Sequence, residues 1–127
     1  MQEILVLGAG KIGALISGLL AESGSYRVQL ADAMPGVASS VAEAHRLDAI
    51  SAFDLDASDT EALTRHVREH KPAALVSSLP YFCNVGVAEV ARAEGLHYFD
   101  LTEDVAVTAA VRSIAEGAST AFVPQSG

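Results

Sequence analysis

The sequence predicts a doubly wound α/β fold, in which a parallel sheet lies between two layers of helices. Short apolar segments alternate with longer segments of helical periodicity along the chain, and this alternation is typical of strand–helix–strand units. The first apolar strand also runs directly into a glycine-rich turn and then a helix. Folds that bind nucleotides at the edge of a parallel sheet begin in this way.

The pattern predicts six strands and five helices. The strands cover about residues 3–7, 27–31, 49–53, 73–77, 97–100 and 120–123, and the helices about 11–23, 36–45, 59–69, 82–94 and 104–116. Gly24 and Gly95 are placed to end helices, and Ser58 with Glu61 matches a capping box. Right-handed crossovers then give the strand order 3-2-1-4-5-6 of a Rossmann-type, three-layer α/β/α sheet.

Length and composition indicate one domain over residues 1–127. Half of the 127 residues are hydrophobic, which is enough for a single core. The net charge of −8, with no block of lysine or arginine, argues against nucleic acid or an anionic membrane as a partner. The single cysteine excludes an internal disulfide. Together with the lack of a membrane span or a signal peptide, this predicts a cytoplasmic domain.

The motif after the first strand predicts a dinucleotide site. Gly8-Ala9-Gly10-Lys11-Ile12-Gly13 has the G-x-G-x-x-G spacing. Gly8 permits the tight turn, Gly10 lets the backbone approach a pyrophosphate, and Gly13 lets the helix pack against the strand. The N-terminus of the following helix offers N–H groups and partial positive charge to the anion. Lys11 could touch a phosphate or remain solvated.

Asp32 is the candidate for ribose recognition. It ends the second strand, 19 residues after Gly13, where dinucleotide folds place a carboxylate that binds ribose hydroxyls. A carboxylate there repels a 2′-phosphate, and Ala33 supplies no cation to attract one. We therefore expect NAD rather than NADP as the cofactor. The alternative is that Asp32 is only a turn residue at the end of a strand.

Other candidates follow the carboxyl ends of strands 3, 4 and 5. Asp54 and Leu55 could cradle the adenine, although Asp54 could equally be a turn or N-cap residue. Ser78 could bind a ribose hydroxyl or cap the next helix. The full set of expected cofactor-binding residues beyond the glycine motif is Asp32, Asp54, Leu55, Ser77, Ser78, Leu79, Pro80, Asp100 and Thr102. The sequence assigns no catalytic residue.

Several other side chains are predicted to be structural. The four histidines show no metal-ligand spacing, and His66 and His70 are expected on a solvated helix face. Cys83 lies where a helix dipole could lower its pKa, but we expect it to be a packing residue. Asn84 is a weaker candidate for facing the cleft. The first helix is expected to bury its aliphatic residues, namely Leu15, Ile16 and Leu19.

The chain resembles the saccharopine dehydrogenase family. The resemblance rests on Gly8–Gly13, on Ser78-Leu79-Pro80-Tyr81 and on Tyr98-Phe99-Asp100-Leu101-Thr102-Glu103-Asp104. The ending Val123-Pro124-Gln125-Ser126-Gly127 is similar to the family's exit from strand 6, although a cysteine is commoner at position 126. The glycine motif is shared by many oxidoreductases, and the next two segments are more specific.

This resemblance implies an NAD(P)-dependent oxidoreductase that transfers hydride to or from the imine of an amino-acid adduct, forming or cleaving a C–N bond. It also implies that Ser78, Asp100 and Thr102 line the cleft. The family continues into a second, substrate-binding domain, so residues 1–127 are expected to be an N-terminal part with little turnover alone. The expected partner is a small amino-acid-type substrate, and a homodimer remains open.

Two other classes share parts of the pattern. NAD-sensing regulatory domains of potassium transport systems have this length, this glycine motif and an acid after strand 2, and residues 54–59 look like their exit from strand 3. Methyltransferases also use a glycine loop and an acid after strand 2. They usually carry an acid just before the glycines, where Leu5-Val6-Leu7 stands here.

Overall fold

A computed structural model describes residues 1–124 as a six-stranded parallel sheet with five α-helices. The strands are β1 Gln2–Leu7, β2 Tyr26–Asp32, β3 Ile50–Asp54, β4 Ala74–Ser77, β5 His97–Asp100 and β6 Phe122–Val123. The helices are α1 Lys11–Glu22, α2 Val37–His45, α3 Thr60–His70, α4 Asn84–Glu94 and α5 Val105–Ala115. Their order in the sheet is β3-β2-β1-β4-β5-β6, which confirms the predicted fold. The resemblance at residues 125–127 lies outside the described residues.

Each face of the sheet has its own core. Alternate strand residues such as Val6 and Leu30 form one apolar cluster with α1 and α2. The residues between them, such as Leu5 and Leu75, form the other cluster with α3, α4 and α5. The central strands β1 and β2 are therefore largely buried from both sides, as their continuous apolar runs indicate.

The first face is not fully covered by the described residues. α1 contacts β1 and β2, and α2 contacts β2 and β3. Beyond α1, a groove of about 470 Å³ is lined mainly by apolar side chains, including Ile16, Leu20, Val76 and Phe99. The two helical layers thus differ in extent, since only the opposite layer continues across β4, β5 and β6.

The prediction that Leu15 and Leu19 are core residues is wrong. Their side chains are 57% and 60% exposed. α1 instead turns small residues toward the sheet, since Gly13, Ser17 and Ala21 are buried at four-residue spacing. Small residues let the helix axis approach the strands closely, which leaves the long aliphatic side chains on the outer side. The prediction holds for Ile16, which packs against the core.

The start of α3 differs from the predicted capping box. Asp59, not Ser58, is the N-cap, and its carboxylate accepts hydrogen bonds from the N–H groups of Glu61 and Ala62. The Ser58 hydroxyl instead donates to Asp56 Oδ1. Aspartate is as good an N-cap as serine, so neighbouring candidates could not be separated by residue type alone.

Candidate dinucleotide site

The glycine motif forms a tight turn between β1 and α1, and its three glycines have different reasons to lack a side chain. Gly8 has a φ of +95°, which favours glycine. A Cβ at Gly13 would lie 1.7 Å from the Gly8 carbonyl oxygen, so glycine at this position lets the loop pack closely against the helix. A Cβ at Gly10 would meet no atom within 4 Å. Gly10 therefore leaves open space beside the backbone rather than preventing a clash within the fold.

The open space lies at the N-terminus of α1. Gly10 is the N-cap and has no side-chain capping bond, and the first turn contains no acidic residue. Gly10, Lys11 and Ile12 are exposed. The first N–H groups of a helix lack intrahelical partners and carry partial positive charge. These backbone groups can therefore receive a phosphate, as the motif predicts.

Asp32 lies beside this loop and is bonded to it. Its Oδ2 accepts the N–H of Ala9 at 2.8 Å, and its Oδ1 accepts the N–H of Met34 at 2.9 Å. The side chain is half-buried. Because a carboxylate has about four acceptor sites, it can hold the loop and still accept ribose hydroxyls. The bond to Ala9 was not predicted, because it depends on how the turn is oriented in the folded protein.

Asp54 and Leu55 follow β3 at the same edge of the sheet. Asp54 Oδ1 accepts the N–H of Gly36, the residue before α2, at 3.0 Å. Leu55 is partly buried against the core, and its N–H donates to the carbonyl of Asp32. Both residues thus connect the neighbouring loops, and their contact with an adenine remains a prediction.

Ser78, the residue after β4, is hydrogen-bonded to the glycine turn. Its hydroxyl oxygen lies 2.9 Å from the carbonyl oxygen of Leu7 and 3.0 Å from that of Gly8. Its own N–H donates to the carbonyl of Leu7. Ser78 therefore neither caps α4 nor stands free of the loop, and its contact with a ribose remains a prediction.

The remaining polar candidates at this edge are bonded to one another inside the protein. The Ser77 hydroxyl donates to Asn84 Oδ1 at 2.6 Å, and both residues are buried. Asn84 therefore does not face the cleft. Asp100 is fully buried and accepts the Tyr98 hydroxyl at 2.5 Å and the Thr102 N–H at 3.1 Å. Burial, aided by the bond to Asp100, raises the pKa of Tyr98, so its hydroxyl remains a donor.

Tyr98 was not among the predicted site residues, although a signal for it existed. Residues i and i+2 of a strand lie on the same face, so Tyr98 is the natural partner for Asp100. Thr102 extends the chain of bonds, because its hydroxyl accepts the N–H of Asp104, which in turn caps α5.

The segment after Ser78 leads away from the loop. Leu79 packs against the core, and Pro80 precedes the short 3₁₀ turn Tyr81–Cys83. The aromatic rings of Tyr81 and Phe82 are exposed. Burial, with the nearby charge of Asp56, raises the pKa of Cys83. The suggestion that a helix dipole lowers it is therefore wrong.

The prediction of a solvated face at His66 and His70 is wrong for His66. It is only 8% exposed, and its Nε2 lies 2.9 Å from Gln29 Oε1. Since an amide oxygen only accepts, the His66 ring donates. Gln29 in turn donates to Glu3 and to the carbonyl of His70. Burial and the neighbouring His70 lower the pKa of His66 to about 4.

Other features of residues 1–124 do not compete for this site. A groove of about 770 Å³ lies between α3 and α4, but half of its lining residues are charged, and one of them, Arg68, is paired with Glu94 at 3.0 Å. The described side chains contain no cluster of three or more histidine, cysteine or acidic residues able to hold a metal. The helices found in this part of the chain lack the combined length and apolarity that crossing a membrane requires.

Comparison with known families agrees with this geometry. The sequence profile of the saccharopine dehydrogenase NADP binding domain matches residues 4–123. The chain belongs to this family. The match includes the glycine turn, Asp32 and the segments after β4 and β5, and it favours the saccharopine dehydrogenase resemblance over the potassium-transport and methyltransferase alternatives. No curated protein sequence matches the chain.

Solved structures show the same fold. Saccharopine dehydrogenase (L-Glu forming) from Saccharomyces cerevisiae is 18% identical with a TM-score of 0.86, and the match covers 100% of this chain but 27% of that one. A putative myo-inositol dehydrogenase from Sinorhizobium meliloti is 19% identical with a TM-score of 0.73, covering 98% and 36%. Prephenate dehydrogenase from A. aeolicus, solved with hydroxyphenyl propionate and NAD⁺, is 17% identical with a TM-score of 0.71, covering 98% and 41%. The chain thus spans less than half of each structure.

Proposed function

We propose that this domain binds NAD, in preference to NADP, as the cofactor-binding part of an oxidoreductase that transfers hydride to or from a C–N bond of an amino-acid adduct. The observation that carries the proposal is the open backbone at Gly10, beside exposed helix N–H groups and the carboxylate of Asp32. When bound, NAD would supply the hydride chemistry, and the protein would supply binding and orientation.

The residues present fit a dinucleotide. Gly10, Lys11 and Ile12 would bind the pyrophosphate through their backbone N–H groups, since these lie exposed at the start of α1. Asp32 would accept hydroxyls of the adenosine ribose while keeping its bond to Ala9. Asp32 bonds Ala9, the residue directly before Gly10, so the two proposed contacts adjoin the same turn, as one nucleotide requires.

The preference for NAD rests on the charge next to the ribose. The bonds from Ala9 and Met34 hold the Asp32 carboxylate in place, so it cannot easily turn away from a 2′-phosphate. The residues that follow, 33–38, contain no lysine or arginine to neutralise that phosphate. The family description includes NADP, which makes the comparison of the two nucleotides a direct test.

The substrate class rests on the family alone. Membership supports an oxidoreductase role, and we extend this to an amine and an oxo-acid joined through an imine. No described side chain is assigned to acid–base chemistry here. The substrate would meet the cofactor at the carboxyl ends of β1 and β4, where the order of the strands reverses. Full-length protein is therefore required for assays of turnover with amino acids and oxo-acids.

Calorimetric titration with NAD and NADP tests the binding proposal. We expect NAD to bind more tightly, and Asp32→Ala to weaken NAD about 10-fold or more, the effect of one charge-assisted hydrogen bond or two. The preference should disappear in the same variant. Asp48→Ala is the matched control, because it removes an exposed carboxylate from the loop before β3. Tighter binding of NADP would overturn the role of Asp32, and binding of neither nucleotide to folded protein would overturn the proposal.

A further inference from the structure

The peptide group between Gly8 and Ala9 is held from both sides by side chains. Its carbonyl oxygen lies 3.0 Å from the Ser78 hydroxyl, and its N–H donates to Asp32 Oδ2 at 2.8 Å. In a trans peptide the C=O and N–H point in opposite directions. Ser78, the residue directly after β4, and Asp32, the last residue of β2, therefore fix the plane of the same peptide, just before the open N–H groups begin.

The surroundings of Ser78 show how closely it is fitted to the turn. A Cβ placed on either Gly8 or Gly13 would lie 2.8 Å from its hydroxyl oxygen. The hydroxyl has one hydrogen, which it can share between the carbonyl oxygens of Leu7 and Gly8. Leu7 and Gly8 are both buried residues, so the hydroxyl is engaged within the turn and not at the exposed residues that begin α1.

We infer that Ser78 is a positioning residue for the pyrophosphate, acting through the Gly8–Ala9 peptide rather than by touching the nucleotide ribose. By holding the Gly8 carbonyl inward, it directs the following residues so that the N–H groups of Gly10, Lys11 and Ile12 face outward. This inference rests on the proposed function, since it concerns the same nucleotide. In this inference Ser78 supports binding of the pyrophosphate, whereas the predicted contact would support binding of the ribose.

ADP and NAD separate the two roles, because ADP has the pyrophosphate but lacks the nicotinamide ribose. We expect Ser78→Ala to weaken both ligands equally, by about 3- to 10-fold, which corresponds to the loss of one hydrogen bond. Ser78→Thr keeps the hydroxyl and should bind ADP within about threefold of the unmodified protein. Adenosine, which has no phosphate, should bind all three proteins alike.

A loss of NAD affinity with unchanged ADP affinity in Ser78→Ala would overturn the inference in favour of a ribose contact. Unchanged affinity for both ligands would also overturn it. If the unmodified protein binds neither ligand, the proposed function fails instead. Should Ser78→Ala not fold, hydrogen exchange of the unmodified protein decides. The Ala9 amide should exchange slowly without ligand, and the Gly10 and Lys11 amides should slow only when ADP is added. If the Ala9 amide exchanges as fast as those of Gly10 and Lys11, the Gly8–Ala9 peptide is not held in place, and the inference is overturned.

Discussion

The two halves of the sheet's carboxyl edge differ in whether their polar groups are exposed or are buried and hydrogen-bonded inside the protein. Beside β1 and β2, backbone N–H groups at Gly10 and Lys11 remain open and exposed. Beside β4 and β5, Ser77 and Asp100 are buried and bonded to internal partners. The sequence offers candidate binding residues in both halves, with the glycine motif and Asp32 in the first and residues such as Ser77 and Asp100 in the second. The difference teaches that polar residues after a strand form a binding surface only where the backbone or side chain retains unused hydrogen-bonding capacity.

Within the open half, two glycines should respond differently to the same substitution. Gly13→Ala places a Cβ 1.7 Å from the Gly8 carbonyl oxygen, and the backbone must move. We expect a loss of about 3 kcal/mol or more in the free energy of unfolding. Gly10→Ala meets no protein atom and should cost no more than about 1 kcal/mol, the usual cost of alanine at an N-cap. Denaturant unfolding checks both values.

The same pair tests ligand binding. Gly10→Ala should weaken NAD about 10-fold or more, because its methyl group occupies the space that a phosphate needs. The distinction between a glycine that serves the fold and a glycine that serves the ligand would fail if Gly10→Ala were destabilised as much as Gly13→Ala. It would also fail if Gly10→Ala bound NAD normally.

His66 belongs to a buried polar cluster with Gln29 and Glu3, and we expect it to affect stability without affecting NAD. Its pKa is about 4 in the folded protein, against about 6.5 in an unfolded chain. The neutral form is therefore favoured by folding. The contribution of neutral His66 to the free energy of unfolding is complete above pH 6.5. It is lost as the pH falls from 6.5 to 4, and the loss is at most about 3 kcal/mol.

His66→Gln keeps a donor for Gln29 but does not titrate. We expect its free energy of unfolding to fall less steeply between pH 6.5 and 4, with NAD affinity unchanged at pH 7.5. His97→Gln is the control, since His97 is exposed and lies outside the cluster of His66, Gln29 and His70. If the free energy of unfolding depends on pH identically in His66→Gln and in the unmodified protein, His66 is not the group that causes the loss of stability at low pH.

In the closed half, Tyr98→Phe removes the hydroxyl that donates to the buried Asp100. Removing one partner of a buried hydrogen-bonding group costs about 1–3 kcal/mol, so we expect thermal unfolding at a lower temperature and a loss of about 2 kcal/mol. Affinity for NAD should change less than twofold. Tyr26→Phe, at the opposite end of the sheet, serves as the control. A loss of NAD affinity clearly larger than twofold would place Tyr98 and Asp100 in the binding surface.

The sequence was sufficient for the strand order and the glycine turn because both depend on local patterns. Alternation of apolar segments sets the strands, and spacing sets the turn. It was insufficient where the outcome depends on which side chain finds a partner. Ser77 and Ser78 are identical neighbours, yet one bonds Asn84 and the other the glycine turn. The burial of His66 depends likewise on Gln29, which is 37 positions away.

The most direct test of the account is to follow backbone amide resonances by NMR while NAD is added to the protein. The account predicts the largest shifts at Gly10, Lys11 and Ile12, with smaller shifts near Asp32. Amides lining the groove between α3 and α4, such as Thr64 and Glu89, should remain unchanged. Shifts concentrated in that groove, or on the uncovered face around Val76 and Phe99, would contradict the assignment of the nucleotide to the glycine turn.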